Sequence, residues 1–523
     1  MIDKSTFADL NKNSKQLCAN VAFDTGFYLI LAAVVFLSYG YEIFNFNLTI
    51  DEEIHAINSS KWNEWIAQGR WGMAFLNYFL LPNPITPVVS IFLGVIGTVI
   101  GLMFFIKDSF KGDRVDILAV TALAITTPTL AFTFTFNTLA YGVGCAFLAI
   151  SIGNSLIYRR TWLGVLIACV LSAFAISIYQ TFVFVLAMFV IVHVWRAHID
   201  SNFSKFVIYR HLFIYLFASL LIYFMISSLV LKVASLDIKY VGQFVDLKGF
   251  IENPQKKILT SISRVFDIFR LHPGLFGLRS VWLSVVLLIS IIFSIAYPLF
   301  NKDYLKLLRV ISLSLAALVI IVCADAIAQG GAPLRSVIYI PIAITVIVGV
   351  AFSVTGVVGR RFLLTLCLFS IVGNSMVNNH LFASSVAAEF RDKMLAEAII
   401  RDVHKLAPSK TDYDVLKVEV IGNRQWPVTG IQSKTETFGA SFFEWDGGNR
   451  YRIAAYLNLN GLATIGATEE ERVRVYAEQK NMPAWPHAGW NALSGDVLIL
   501  KFGDYSVPQK TSLCSQGIAE LCN

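Results

Sequence analysis

Asn47-Leu-Thr-Ile-Asp51-Glu52-Glu53-Ile-His55 follows directly on the first long apolar run of the chain, and that placement governs how the rest is read. Adjacent carboxylates are costly inside a bilayer and ordinary in water. At the apolar boundary they mark either a solvated loop that ends a span or an acidic site at the membrane surface. The next segment favours a site. Trp62, Trp65, Gln68, Gly69, Arg70 and Trp71 fall within one short stretch, giving aromatic rings and a cation suited to a sugar and a phosphate.

Composition outside this loop sets the class. Hydrophobic residues make up 56% of the 523 and charged residues 15%, with mean hydropathy +0.64, far from the soluble globular average. The chain reads as a polytopic α-helical membrane protein. Its net charge of +7 requires no nucleic-acid partner, because Lys and Arg gathered in cytoplasmic loops produce such an excess. No zinc-ligand spacing is present. The first apolar run is too long for a cleaved signal sequence and is expected to stay as a span.

In chain order, Lys4, Lys12 and Lys15 precede the first span, Phe23 to Phe44, which predicts a cytoplasmic amino terminus. The acidic loop then lies outside. Residues 62–81 read as an amphipathic or re-entrant helix before Pro82, Pro84 and Pro87 break the chain. Further spans are expected over 85–106, 117–136 and 139–157, with Lys107, Lys111, Arg114, Arg159 and Arg160 on the inner side. The 32 residues of 162–193 are too long for one span and divide near Tyr179 and Gln180 into two short ones. Spans over 210–231, 278–299, 307–326, 336–357 and 362–378 bring the total to about eleven, with a long outer loop over 232–279. An odd count leaves the carboxyl-terminal region outside.

Residues 1–380 thus form a transmembrane domain and 381–523 a small α/β domain. A helix with Val386, Met394, Ala398 and Ile399 on one face leads out of the membrane. Residues 415–421 and 497–502 look like strands, and 469–480 has the charge density of a surface helix. Cys514 and Cys522 in the tail can pair in an oxidising periplasm.

Such a layout suits the transfer of an activated sugar from a lipid phosphate. That reaction needs a base beside the acceptor hydroxyl, a cation beside the leaving phosphate and a polar groove at the membrane surface. A carboxylate of the outer loop can be the base, and Arg70, Arg335 or a cation of the long loop can hold the phosphate. Asp51 is the first carboxylate past the apolar run, and its partial desolvation should raise its proton affinity. Asp325, Gln329 and Arg335 sit at the outer end of a span, as a snorkelling cluster or as part of the site. Tyr179 and Gln180 fit a satisfied turn as well as a donor site. Two of the three tryptophans Trp62, Trp65 and Trp71 are expected to be interfacial anchors.

The acidic loop, the Trp-Asn-Glu-Trp-Ile-Ala-Gln-Gly-Arg-Trp segment from Trp62 to Trp71, and Ile178-Tyr179-Gln180-Thr181 resemble the serotype-converting, O-antigen-modifying membrane glucosyltransferases of bacteria and phages. The resemblance covers the membrane part. It implies a multispan GT-C-like enzyme of the bacterial inner membrane, with undecaprenyl-phosphate glucose as donor and O-antigen polysaccharide as acceptor on the periplasmic face. The catalytic carboxylate of GT-C enzymes commonly lies in the first outer loop, so that role falls on Asp51 or Glu52. Substrate binding falls on Glu53, His55, Arg70, Trp71, Tyr179, Gln180 and Arg335. No cofactor or metal is expected, since arginines can balance a single donor phosphate. A lipid-linked oligosaccharide transferase or polymerase would share this chemistry. A polyprenyl-linked sugar flippase or transporter would instead place ionisable groups near the midplane of paired repeats, and no internal repeat is evident.

Overall fold

The computed structural model describes residues 25–57, 62–82, 85–110, 112–159, 161–199, 205–236, 245–328, 331–408, 414–430 and 432–522. The polar amino-terminal segment, Pro84, Lys111, Arg160 and Gln329 lie outside them. Among the described residues, seven helices are long and apolar enough to cross a membrane. Arg114–Thr126 and Pro128–Phe134 add an eighth span if this pair, bent by 57°, is counted as one. Pro128 has no N–H to continue the first helix, so the ladder breaks at Thr127 and restarts. Trp162–Ile178, Phe182–His198 and Ile340–Val354 are shorter apolar helices.

Two features fix the bundle. Helices Val89–Ser109 and Asn137–Tyr158 cross so closely that a Cβ on Gly97 would stand 2.6 Å from the Gly144 backbone. Small residues allow this approach, which supplies the packing and dispersion that hold helices together in lipid. On another side, Arg360 pairs with Asp116, which also closes a capping box with Asp113 at the start of Arg114–Thr126. The expected break at Tyr179–Gln180 is present, between Trp162–Ile178 and Phe182–Ile199. The expected helix over 62–81 is two helices, Trp62–Ala67 and Trp71–Phe79, divided where Gly69 takes φ +72°. That left-handed conformation favours glycine.

The last apolar span and the helix expected after it are one element. Val357–Leu406 runs unbroken for 50 residues, about 75 Å at 1.5 Å per residue. Its first half packs Leu363, Leu366, Leu381 and Phe382 into the bundle core. Its far end packs Leu395, Ile399 and Val403 into a second core beneath a four-stranded sheet. The strands are β1 (Leu416–Ile421), β2 (Thr464–Gly466), β3 (Asn491–Ser494) and β4 (Val497–Lys501), ordered β2-β1-β4-β3. β1 runs parallel to β2 and β4, and β3 is antiparallel to β4. The apolar run Val497–Leu500 of β4 suits a strand covered on both faces, whereas β1 interleaves Lys417 and Glu419 with apolar residues. Helix Glu469–Lys480 covers the sheet, with buried Arg472 bonded to both oxygens of buried Glu419 at 3.0 Å. A disulfide joins Cys514 to Cys522.

Candidate functional site

The three neighbouring carboxylates point three ways. Asp51 has φ +77°, a left-handed conformation that Asp tolerates better than most residues, and it turns the chain into the short helix Glu52–Ile57. Glu52 then points inward and is fully buried. Its carboxylate accepts hydrogen bonds from the backbone N–H of Thr138 at 2.8 Å, the N–H of Thr49 at 3.2 Å and Asn137 Nδ2 at 3.3 Å. Thr138 is in the first turn of Asn137–Tyr158, so Glu52 also sits at the positive end of that helix. Burial nonetheless pushes its carboxyl up to about 7. Glu52 fastens the loop to the bundle.

Glu53 is equally buried and accepts a 2.6 Å bond from Arg452 Nη1. Burial pushes its carboxyl up to about 7 against the pull of that guanidinium. Asp51 is the most open of the three, with 44% of its side chain exposed. Its Oδ1 accepts from Arg452 Nη2 at 2.7 Å and its Oδ2 from Arg335 Nη1 at 3.4 Å. Burial pushes this carboxyl up, but Arg452, Arg335 and His55 outweigh it and hold the group below its ordinary value. The expected rise in proton affinity is therefore reversed, because two guanidinium groups face the carboxylate that desolvation alone would have protonated.

Asp51 opens into a polar cavity of about 250 Å³, whose walls include His55, Trp65, Gln68, Arg70, Tyr179 and Arg335. His55 stacks on Trp65 with ring centroids 5.9 Å apart and planes 6° from parallel. A second cavity of about 280 Å³ is lined mainly by apolar groups such as Val183, Phe184, Ala324, Ile327, Ala332 and Pro333. The two cavities share Gln68, Arg70, Tyr179 and Arg335 as walls. Arg70 lies over the rings of Tyr179 and Trp65, 4.6 and 5.5 Å from their centroids, and donates from Nε to Gln180 Oε1 at 3.2 Å. Gln180 in turn donates to the Gln68 carbonyl at 2.6 Å. The amide in the apolar stretch is thus satisfied and also lines the second cavity. Arg335 belongs to the short helix Leu334–Ser336 and lies over the Phe136 ring at 5.1 Å.

Of the residues singled out in the sequence, Asp51, His55, Arg70, Tyr179, Gln180 and Arg335 line one or both cavities. Glu52, Glu53 and Trp71 line neither. Trp71 packs beside Phe174. Asp325 is buried, lines neither cavity, accepts from the Ala332 N–H at 3.0 Å and pairs with Arg264. Sequence reasoning missed Arg452, which comes from helix Arg450–Leu459 of the carboxyl-terminal unit and also bonds Asp446 at 2.5 Å. Trp65 and Gln68, singled out with the Trp62–Trp71 segment, also line the polar cavity, and Glu64 of the same segment, not singled out, joins them. Among the described residues, no group of three His, Cys, Asp or Glu is placed to hold a metal ion.

A helical membrane bundle with a polar cavity that gathers a carboxylate, arginines and aromatic rings has the makings of a membrane-embedded sugar transferase. The comparison with protein families makes that class specific. Residues 40–355 match the family described as Glucosyl transferase GtrII, and the chain belongs to it. The match agrees with the resemblance to serotype-converting glucosyltransferases and contains every cavity residue named above, while Arg452 lies beyond it. No curated protein matches the chain.

Proposed function

We propose that the protein transfers glucose from undecaprenyl-phosphate glucose to a hydroxyl of the lipopolysaccharide O-antigen, on the periplasmic face of a bacterial inner membrane. The observation that carries this reading is the wall common to the two cavities, where Arg70 and Arg335 stand between an apolar and a polar compartment. A lipid-phosphate sugar has the same division: hydrocarbon, one phosphate, then a sugar. With the isoprenoid end in the apolar cavity and the glucose in the polar one, the phosphate falls between the two guanidinium groups, which bind phosphate in parallel pairs of hydrogen bonds.

Asp51 is then the base. The acceptor oxygen attacks the anomeric carbon, the bond from that carbon to the phosphate oxygen breaks, and the hydroxyl proton passes to Asp51. The lipid phosphate leaves with the bonding electron pair, stabilised by Arg70 and Arg335. Because Arg335 also faces Asp51, a donor phosphate that engages this arginine takes counter-charge from the carboxylate. Its proton affinity rises when donor is bound.

The bent pair and the three short apolar helices, counted as crossings with the seven long ones, give the expected eleven spans. A cytoplasmic amino terminus then goes with a periplasmic domain over 381–523. The test is to incubate the purified protein in lipid nanodiscs with undecaprenyl-phosphate glucose and O-antigen polysaccharide. A new glucosyl linkage on the polysaccharide is expected. Glucose movement across the membrane without a new linkage, or transfer of an oligosaccharide only, would overturn the proposal.

A further inference from the structure

Helix Pro254–Phe269 lies between two apolar spans in sequence and carries an apolar stripe that stays largely exposed, with the Arg270 guanidinium over the Phe266 ring at 5.4 Å at its end. Leu259, Ile262 and Phe266 recur at helical spacing and are 59%, 48% and 62% exposed. Its opposite arc, Ser261, Val265 and Ile268, is buried against the bundle. Lys256 and Thr260 are also exposed and, at 100° per residue, lie on the flank of the stripe turned away from Ile262. A helix with an apolar stripe beside a polar, basic flank is suited to the boundary between hydrocarbon and headgroups.

Its attachments put it at that boundary. The Phe269 carbonyl accepts from Ser284 Oγ at 3.1 Å, in the first turn of Trp282–Phe300. Arg264 pairs with Asp325 at 3.7 Å, in the last turn of Tyr304–Ala326, and donates to the Ala332 carbonyl at 2.5 Å. These two helices are consecutive and joined by a short turn at their other ends, so Ser284 and Asp325 mark one end of the pair. The same two helices expose the apolar side chains Leu288, Leu315 and Val319.

We propose that Pro254–Phe269 lies flat on the bilayer, with Leu259, Ile262 and Phe266 in the hydrocarbon boundary and Lys256 among the headgroup phosphates. The occupant of the stripe is lipid. Arg264 also ties this helix to the 325–332 segment, and Ala324, Ala328 and Ala332 wall the apolar cavity. The helix therefore anchors one side of that cavity in the membrane surface. This rests on the bundle being membrane-embedded and not on the donor or reaction proposed above.

The test uses the full chain in phosphatidylglycerol-containing nanodiscs, with Leu259→Cys, Ile262→Cys, Phe266→Cys and Thr260→Cys each labelled with an environment-sensitive fluorophore. The signal of the equally treated parent protein is subtracted. Quenching by lipids spin-labelled near the headgroup should be about twofold or more stronger at the three stripe positions than at position 260, with blue-shifted emission. Equal quenching at all four positions would overturn the proposal. So would quenching at none of them, and an Ile262→Cys disulfide between two copies would then show that a second chain covers the stripe.

Discussion

Arg452 Nη2 stands 2.7 Å from Asp51 Oδ1, joining two residues 401 positions apart. The same guanidinium reaches Glu53 through Nη1, so one arginine of the carboxyl-terminal unit balances two carboxylates of the loop that follows the first apolar span. It therefore sets how readily Asp51 is protonated.

Replacing Arg452 should move the pH profile. Asp51 is held below its ordinary value largely by Arg452, and a base works above its pKa. In Arg452→Ala the acid limb of kcat/KM should shift to higher pH, because the largest charge holding the Asp51 carboxyl down is gone. Glu53 also loses its partner, and breaking a buried pair costs about 3–5 kcal/mol. Arg452→Ala combined with Glu53→Gln should recover much of that stability and keep the shifted limb. An unshifted limb in both proteins would contradict this role.

Stability should fall as pH rises toward neutrality. Glu52 and Glu53 titrate at about 7 in the folded protein against an ordinary 4.5. Between those values the folded protein keeps protons that the unfolded chain has released. The contribution of both groups is therefore fully present below pH 4.5 and is lost as pH rises through about 7. Asp51 has the opposite sign, losing its contribution as pH falls below its ordinary 3.8. Thermal unfolding from pH 4.5 to 7.5 should show the decline, and Glu52→Gln should flatten it. A decline of equal size in Glu52→Gln would exclude Glu52 as its source.

Much of this site was legible in the sequence because a membrane makes polar residues conspicuous. Asp51, Arg70, Gln180 and Arg335 stand out against apolar surroundings, and burial without a partner would be costly there. Arg452 sits in Arg450-Tyr451-Arg452, within a polar segment where such residues are ordinary, and only the tertiary contact distinguishes it. The divergence of Asp51 and Glu52 follows from the φ +77° turn, to which three adjacent carboxylates give no clue. Trp71 is a binding candidate as part of the Trp62–Trp71 segment that carries the family resemblance. It opens helix Trp71–Phe79 while Arg70 stands before that helix in a non-helical conformation, and the Trp71 ring packs beside Phe174. The continuous helix Val357–Leu406 contains no proline, so a break near residue 380 had no sequence signal behind it.

Arg335→Lys and Arg70→Lys should both weaken donor use. Lysine keeps the charge but loses the planar pair of donors, and a hydrogen bond to a charged group contributes about 1.5–3 kcal/mol. The apparent KM for donor should rise by about tenfold or more, with insertion unchanged. Unchanged donor KM in both proteins would remove the arginines from the phosphate site.

The topology admits a separate check. A reporter fused after Asn523 should be active in its periplasmic form, and one fused at the amino terminus in its cytoplasmic form. Activity of the carboxyl-terminal fusion only in the cytoplasm would reverse the assigned orientation.

Asp51→Asn isolates the charge of the proposed base. Asn adopts a left-handed backbone at least as easily as Asp, so the turn at φ +77° and the burial of Glu52 should survive. What disappears is the proton acceptor, together with the charge that Arg452 and Arg335 face. Loss of a positioned base typically lowers the rate by about 10²- to 10⁴-fold, so transfer should slow by that order while donor binding persists. Glu52→Gln tests the other carboxylate. A residue enclosed by Thr49, Asn137 and Thr138 should, when altered, lower stability and yet leave the acid limb of the pH profile where it was. If Asp51→Asn keeps near-normal turnover while Glu52→Gln folds and is inactive, the base is Glu52. If both turn over normally, the acidic loop only packs against the bundle, and the proton acceptor must be sought elsewhere in the polar cavity, where Glu64 also stands.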